Sequence, residues 1–230
     1  MYLRKIYDEK QIKKSKKEIN NEKKIIYLVI KNYLDKLFSF IFLFLSLPLS
    51  IIIILLIKFS SRGPIFFFHE RLGKNKKRFL CIKFRTMHPE SENMFVELIS
   101  KNEKLKKEFL ENHKLKNDPR ITNIGRFLRK TSLDEIPQFL NVLRGEMSIV
   151  GPRPIVYEET IKYGKRISEV LEVKPGITGL WQISGRNNLS YQRRVELDSL
   201  YVNQLNFLLD LRIIIRTFGV ILFPRDRGSY

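Results

Sequence analysis

The chain has a single cysteine, Cys81, so no intrachain disulfide can form, and the count fits a reducing compartment. Cys81 itself reads as a small buried apolar residue. Histidine is scarce too: His69, His88 and His113 are scattered without ligand spacing, which argues against a histidine zinc site. Acidic residues are outnumbered, 24 against 43 lysines and arginines, leaving a net charge of +19 on 230 residues. Such an excess pulls towards a polyanion: nucleic acid, anionic lipid headgroups or a phosphorylated substrate. No internal repeat is visible, and the lysine-rich start is the only low-complexity tract. That start is not a secretory signal, because the first apolar run comes too late and no small-residue cleavage site follows it. The length fits one domain, or one domain with an appendage.

What is present begins with a solvated or partly helical basic tail. Residues 37–57, LFSFIFLFLSLPLSIIIILLI, then carry no charge. At about 1.5 Å per helical residue this stretch approaches the thickness of a hydrocarbon core. Pro48 interrupts it, removing a backbone hydrogen bond and forcing a kink or a break, and Ser46 and Ser50 are placed to satisfy freed backbone groups. Two topologies follow: a kinked span, or a segment that bends at Pro48 and returns to its own face. Both flanks are strongly basic, which favours the second.

After Arg62-Gly63-Pro64 the composition becomes that of a water-facing domain. Apolar runs at 65–68 and 79–84 flank a turn-like GKNKK and predict a hairpin. Residues 90–112 have a helical pattern, and short helices are expected at 124–130 and 134–143. Loops are signalled by NDP, GPRP, KPGITG and SGRNN. The stretch 207–223 is helical in length, but Asp210, Arg212 and Arg216 make it too polar for a comfortable span. It suits a helix in the membrane interface or one packed on the core.

Basic residues gather in those loops: Lys83 and Arg85 in IKFRTM, Arg120 in NDPRIT, Arg126 and Arg129 before the acidic pair, Arg153 in GPRP, Arg186 in SGRN. Guanidinium forks match phosphate oxygens, so a pyrophosphate is the natural guest. Among them stands Asp134-Glu135, in TSLDEIPQ. Its simplest reading is a capping box, with Ser132 as N-cap and Glu135 at N3. A chemical reading is also open. Pro137 places the pair at a helix start, where dipole and arginines favour ionised carboxylates. An ionised Asp can attack phosphorus, and a neighbouring Glu can hold Mg²⁺.

From about residue 35 to 225 the chain resembles the bacterial sugar transferases, the monotopic phosphoglycosyl transferases that start surface glycans on a polyprenyl phosphate. The resemblance rests on LSLPLS, GPIFFFHERLG, IKFRTM, NDPRITNIGRFLRKTSLDEIPQFLNVLRGEMSIVGPRP, KPGITGLWQISGR and LDSLYV. It implies an α+β, mainly α fold: a basic tail at 1–30, a re-entrant, proline-broken membrane helix at 31–60 with Ser46 and Pro48 at the break, and a catalytic domain at 61–230. That domain would be compact and helical, with a small β hairpin and interfacial amphipathic helices. It further implies that Asp134 attacks the β-phosphate of a UDP-sugar, releasing UMP, and that the phosphosugar passes to undecaprenyl phosphate. Glu135 would help hold Mg²⁺; Lys83, Arg85, Arg129, Arg153 and Arg186, with Arg120 and Arg126, would surround the phosphates. The implied setting is the cytoplasmic face of the bacterial inner membrane, against anionic inner-leaflet lipids, with room for a homodimer. His69 stands where relatives often carry Gln, and Trp181 resembles a Trp that often precedes Gln. Two rivals compete with this reading, a membrane-tethered nucleic-acid binder and a non-catalytic scaffold. The first lacks any recognisable nucleic-acid motif, and the second gives no reason for arginine-bearing loops around a carboxylate pair.

Overall fold

The charge-free stretch folds as two helices, α1 (Tyr2–Leu45) and α2 (Leu47–Ser60), separated by Ser46. The structure is a computed structural model that describes residues 2–112, 115, 118–185 and 188–222; His113 and Arg186 lie outside the described residues. Pro48 sits in the first turn of α2, where its missing N–H costs nothing to the new helix but ends the old one. Ser46 bridges the break: its backbone N–H donates to Phe42 O at 2.8 Å and its hydroxyl to Leu43 O at 3.3 Å. The two axes are bent by 62°. No single helix among the described residues is long and apolar enough to cross a membrane; the bent pair Glu22–Leu45 and Leu47–Ser60 meets that test of length and composition only when taken together.

One side of the bent pair packs on the rest of the chain. Ile53 and Ile57 are buried against Phe84, Leu128 and Ile136, and Phe42 stacks on Phe139 with ring centroids 4.1 Å apart. Burying side chains of this size is worth about 1.5–3 kcal/mol each. The other side leaves Phe40, Phe44, Ile51, Ile52, Leu55 and Phe59 exposed. That many neighbouring apolar groups on one surface mark a site meant for something less polar than water.

The hairpin forms as its sequence predicts. Strands β1 (Phe66–Leu72) and β2 (Arg78–Phe84) pair antiparallel, with Phe67 opposite Lys83 and His69 opposite Cys81. The connecting turn places Asn75 and Lys76 at φ 55° and 62°, and Asn is among the residues that enter this left-handed region most readily. The expected helix at 90–112 is divided at Asn102 into α3 (Ser91–Lys101) and α4 (Glu103–Asn112). Asn102 Oδ1 accepts from the N–H groups of Lys104 and Leu105 and thereby starts the second helix.

Next come α5 (Asn123–Thr131), a 3₁₀ turn at Leu133–Glu135 and α6 (Gln138–Leu143), followed by β3 (Ser148–Val150), α7 (Thr160–Tyr163) and α8 (Ile167–Val170). Strand β4 (Gly176–Thr178) pairs parallel with β3, and α9 (Leu180–Ser184), α10 (Tyr191–Gln204) and α11 (Phe207–Leu222) follow among the described residues. The arrangement is mainly helical with a small hairpin. The main core joins Phe79, Cys81, Val142, Met147, Val150, Tyr201, Val202 and Ile213, so the hairpin, α6, β3, α10 and α11 share one interior.

Two polar devices hold these layers together. Asn141, wholly buried in α6, donates to Leu80 O at 2.7 Å and accepts from the Ile82 N–H at 3.0 Å, bolting α6 to β2. Asp210 of α11, which reads in sequence as an interruption of an apolar helix, is buried. It accepts from Tyr27 Oη at 2.6 Å, Lys31 Nζ at 2.5 Å and Tyr201 Oη at 2.8 Å. Helix α11 therefore packs one face on the core, with Ile213 fully buried, and leaves Phe207, Leu208, Leu211, Ile215 and Phe218 exposed on the other.

Candidate active site

The acidic pair does not form the capping box that its spacing predicts. Ser132 takes a left-handed conformation (φ 58°, ψ 16°) that terminates α5, and its side chain makes no cap hydrogen bond. Its peptide N–H instead donates to Arg129 O. Two helix ends are thus joined through a single 3₁₀ turn bearing Asp134 and Glu135, and Pro137 is the N-cap of α6. Because the turn is short, both carboxylates emerge beside strand β2.

Lys83 of β2 meets them. Its ammonium donates to Glu135 Oε1 at 2.6 Å, with both side chains about one third exposed. Gln138, three residues beyond Glu135, adds a hydrogen bond to the same carboxylate. Asp134 is 8% exposed. The two carboxylates answer burial differently. Burial pushes Asp134 up to about 6, against the pull of Lys83 and with the repulsion of Glu135 adding to it, while Arg129 opposes. Burial acts on Glu135 in the same sense but is outweighed by Lys83, at hydrogen-bond distance, and by Arg153, so that Glu135 stays below the usual carboxylate range. The expectation that dipole and arginines would favour ionisation of both holds for Glu135 alone.

The remaining cations fall into three groups. Arg129 and Arg153 are near the pair: Arg129 is oriented by its Nε–H donating to Thr86 Oγ1 at 2.9 Å, and its charge acts on Asp134. Arg153 lies over the Trp181 ring at 5.3 Å from the centroid and acts on Glu135. Arg85 and Arg120 are committed elsewhere. The Arg85 guanidinium is buried and donates to Ser61 O, Ser61 Oγ and Arg62 O, tying down the end of α2. Arg120 holds Asp118 through Nε and Nη2 at 2.8 and 2.6 Å and covers the Phe95 ring. Arg126 is exposed on α5.

Sequence reading missed Arg71 and Gln138. Arg71 is half-buried at the same cation cluster: Nη1 donates to Pro154 O at 3.3 Å, Glu159 lies 3.6 Å away, and Nη2 donates to His69 Nδ1 at 3.1 Å. Its place was available from the hairpin period, since Phe67, His69 and Arg71 alternate onto the face that carries Lys83 across the pair. Arg194, on α10, lies over the same Trp181 ring at 5.3 Å. Cations acting on both members of the Asp134-Glu135 pair and a partly exposed carboxylate make a surface suited to a phosphorylated anion.

Comparison with known proteins agrees with this chemistry. The family model described as "Bacterial sugar transferase" matches residues 26–224. The chain belongs to the bacterial sugar transferase family. It is 47% identical over 175 residues to "Exopolysaccharide production protein ExoY" of Sinorhizobium fredii, covering 76% of each chain. It is 48% identical over 168 residues to "Undecaprenyl-phosphate galactose phosphotransferase" of Salmonella typhimurium, covering 73% of this chain and 35% of the relative. Against "UDP-glucose:undecaprenyl-phosphate glucose-1-phosphate transferase" of Xanthomonas campestris pv. campestris, identity is 36% over 199 residues, with 83% and 38% covered. The chain thus spans about a third of the length of several curated relatives and about three quarters of ExoY.

Proposed function

We propose that this sugar transferase moves a sugar 1-phosphate from a UDP-sugar to undecaprenyl phosphate at a membrane surface, the opening step of surface-glycan synthesis. The observation that carries the reading is the Asp134-Glu135 turn, with Lys83 at 2.6 Å from Glu135 and the charges of Arg129 and Arg153 acting on the two carboxylates. In the first half-reaction an ionised Asp134 oxygen attacks the β-phosphorus of the donor. The oxygen–phosphorus bond forms as the bond from the β-phosphorus to the bridging oxygen breaks, and UMP departs. In the second, an oxygen of undecaprenyl phosphate attacks the same phosphorus and frees the Asp134 carboxylate. Lys83, Arg129 and Arg153 offset the charge that builds on the phosphoryl oxygens in both.

The donor set fits Mg²⁺ in one specific form. No group of three or more His, Cys, Asp or Glu side chains that could hold a metal exists among the described residues, so an all-protein cage is not available. Mg²⁺ commonly uses one or two carboxylates and completes its shell with water and substrate phosphate. Glu135, partly exposed and kept ionised, would hold it, and the ion would neutralise pyrophosphate charge. We assign the bent α1–α2 pair to a re-entrant insertion, supported by the apolar outer surface and by basic flanks on both sides. A shallow anchor brings a water-soluble donor and a lipid-bound acceptor to one pocket at the cytoplasmic face.

Purified chain incubated with a panel of UDP-sugars, Mg²⁺ and undecaprenyl phosphate should release UMP with at least one donor, and quenched wild type, unlike Asp134→Asn, should carry an acid-stable, hydroxylamine-sensitive phosphosugar. Equal labelling of Asp134→Asn would place the nucleophile elsewhere.

A further inference from the structure

Away from the Asp134-Glu135 turn, three lysines from three separate segments converge where α1 meets the domain. Lys36 is on α1, Lys74 in the hairpin turn and Lys174 just before β4. Gly145, in the turn after α6, lies between two of them: a Cβ built there would be 3.4 Å from Lys174 Nζ and 3.9 Å from Lys36 Nζ. One point is therefore within 4 Å of both ammonium nitrogens, a separation that a single phosphate group can bridge with charge-assisted hydrogen bonds. Lys74 and Lys174 also line an open cleft together with Lys31, Asn32 and Asp35.

None of the three lysines forms a salt bridge among the described residues. Lys174 Nζ is held in place by Asn32 Oδ1 at 2.7 Å, a neutral partner. The nearby carboxylates are occupied: Asp35 accepts from Ser148 Oγ, Asp210 from Lys31, Tyr27 and Tyr201, and Glu146 from Asn141. Burial first, then the Lys36 charge, hold the Lys174 ammonium below its ordinary pKa; Asp35 opposes and Lys74 adds to the effect. Three lysines thus gather around a cleft whose lining carboxylate, Asp35, is shared with Lys31 and Ser148, and the charge left over calls for an anion from outside.

Lys36 immediately precedes the charge-free run that starts at residue 37, so the cluster lies at the depth where the chain would enter the bilayer. Phosphate groups of the leaflet are at that depth. We propose that Lys36, Lys174 and Lys74 form a binding site for the phosphate of one anionic phospholipid headgroup, separate from the Asp134 site, which fixes how deeply and at what angle the enzyme sits on the membrane. This rests on the membrane-inserted reading above.

Native mass spectrometry of the full chain in neutral detergent, titrated with phosphatidylglycerol, phosphatidylcholine or inorganic phosphate, tests it. Wild type should retain one phosphatidylglycerol, and the double variant Lys36→Gln/Lys174→Gln should lose that affinity by about tenfold or more, since each lysine near an anionic surface contributes measurably. Lys36→Arg/Lys174→Arg should recover it, and the exposed-lysine control Lys77→Gln should match wild type. Equal phosphatidylglycerol retention by the double variant, or equal retention of phosphatidylcholine, would overturn the site. Inorganic phosphate bound as tightly as the lipid would overturn the lipid as its source. UMP release measured on the same preparations separates the two readings. An active wild type whose lipid retention is unaffected by the double variant sinks this inference alone, whereas absence of turnover with every donor sinks the assigned reaction.

Discussion

Lys83 binds Glu135 directly at 2.6 Å and reaches Asp134 only through its charge. One ammonium therefore does two things: it fixes the carboxylate assigned to the metal and lowers the cost of ionising the buried one beside it. Such a division follows from the short 3₁₀ turn, which sets two adjacent side chains against one strand without making their surroundings equal.

Replacing Lys83 with Met should reduce turnover by about 100-fold, the scale of losing one preorganised charge from a reacting centre. The direction of the accompanying pH change distinguishes this role from mere packing. Lys83 pulls the Asp134 pKa down, so its removal raises that pKa and moves the acid limb of the rate profile to higher pH. Lys83→Arg should restore part of both. An acid limb unmoved in Lys83→Met would show that this ammonium does not govern Asp134.

In the wild-type enzyme the same logic gives an acid limb near pH 6. Burial has raised Asp134 to about 6, and in the proposed first half-reaction only its ionised form attacks phosphorus. The active form is thus present above that pH and is lost as pH falls through it, with kcat/KM dropping about tenfold per unit below. A profile flat down to pH 4.5 would mean that Asp134 ionises as an ordinary carboxylate or is not the nucleophile.

Much of this centre was legible in the sequence, and the parts that were not share a cause. The helix start at Pro137 and the break at Pro48 follow from local backbone chemistry, which sequence encodes within a few residues, but the helix expected at 134–143 begins only at Gln138, because Ser132 ends α5 in a left-handed conformation and leaves Asp134 and Glu135 in a separate 3₁₀ turn. For the helix at 207–223 the sequence left interface and core packing open, because the meaning of Asp210 comes from Lys31, 179 residues away; in isolation a charge in an apolar helix looks like an interruption. Arg85 shows the converse. A loop arginine at the end of an apolar run, two residues after Lys83, suits a phosphate, yet folding brings Ser61 and Arg62 carbonyls to it. Which cations remain available for substrate is decided by long-range pairing, and composition does not record that.

The Asp210 lock predicts a contrast between single and double substitution. Asp210→Leu leaves Lys31 buried, with Asp35 at 3.6 Å as its remaining carboxylate, and should destabilise the chain by about 3 kcal/mol, the low end for breaking a buried pair. Lys31→Met/Asp210→Leu removes both charges and should regain most of that loss. Chemical denaturation in detergent measures both. A double variant as unstable as the single one would mean that the Tyr27 and Tyr201 hydrogen bonds to Asp210, and not its charge pairing, hold α1 to α11.

Gly125 gives the sharpest link between packing and catalysis. A Cβ at this position would lie 1.9 Å from Thr86 O and 2.7 Å from Thr86 Cα, both backbone atoms that cannot swing aside. Helix α5 would have to withdraw from the end of β2, at a cost of about 1–3 kcal/mol for overpacking. The withdrawal would also part the Arg129 Nε–H from Thr86 Oγ1, now 2.9 Å apart, and move the Arg129 charge relative to Asp134. Gly125→Ala should therefore lose turnover even at temperatures where it is fully folded, and its acid limb should shift to higher pH because a cation has receded from Asp134. If the variant melts earlier but keeps wild-type turnover and pH profile while folded, Arg129 acts on the fold and not on the reaction.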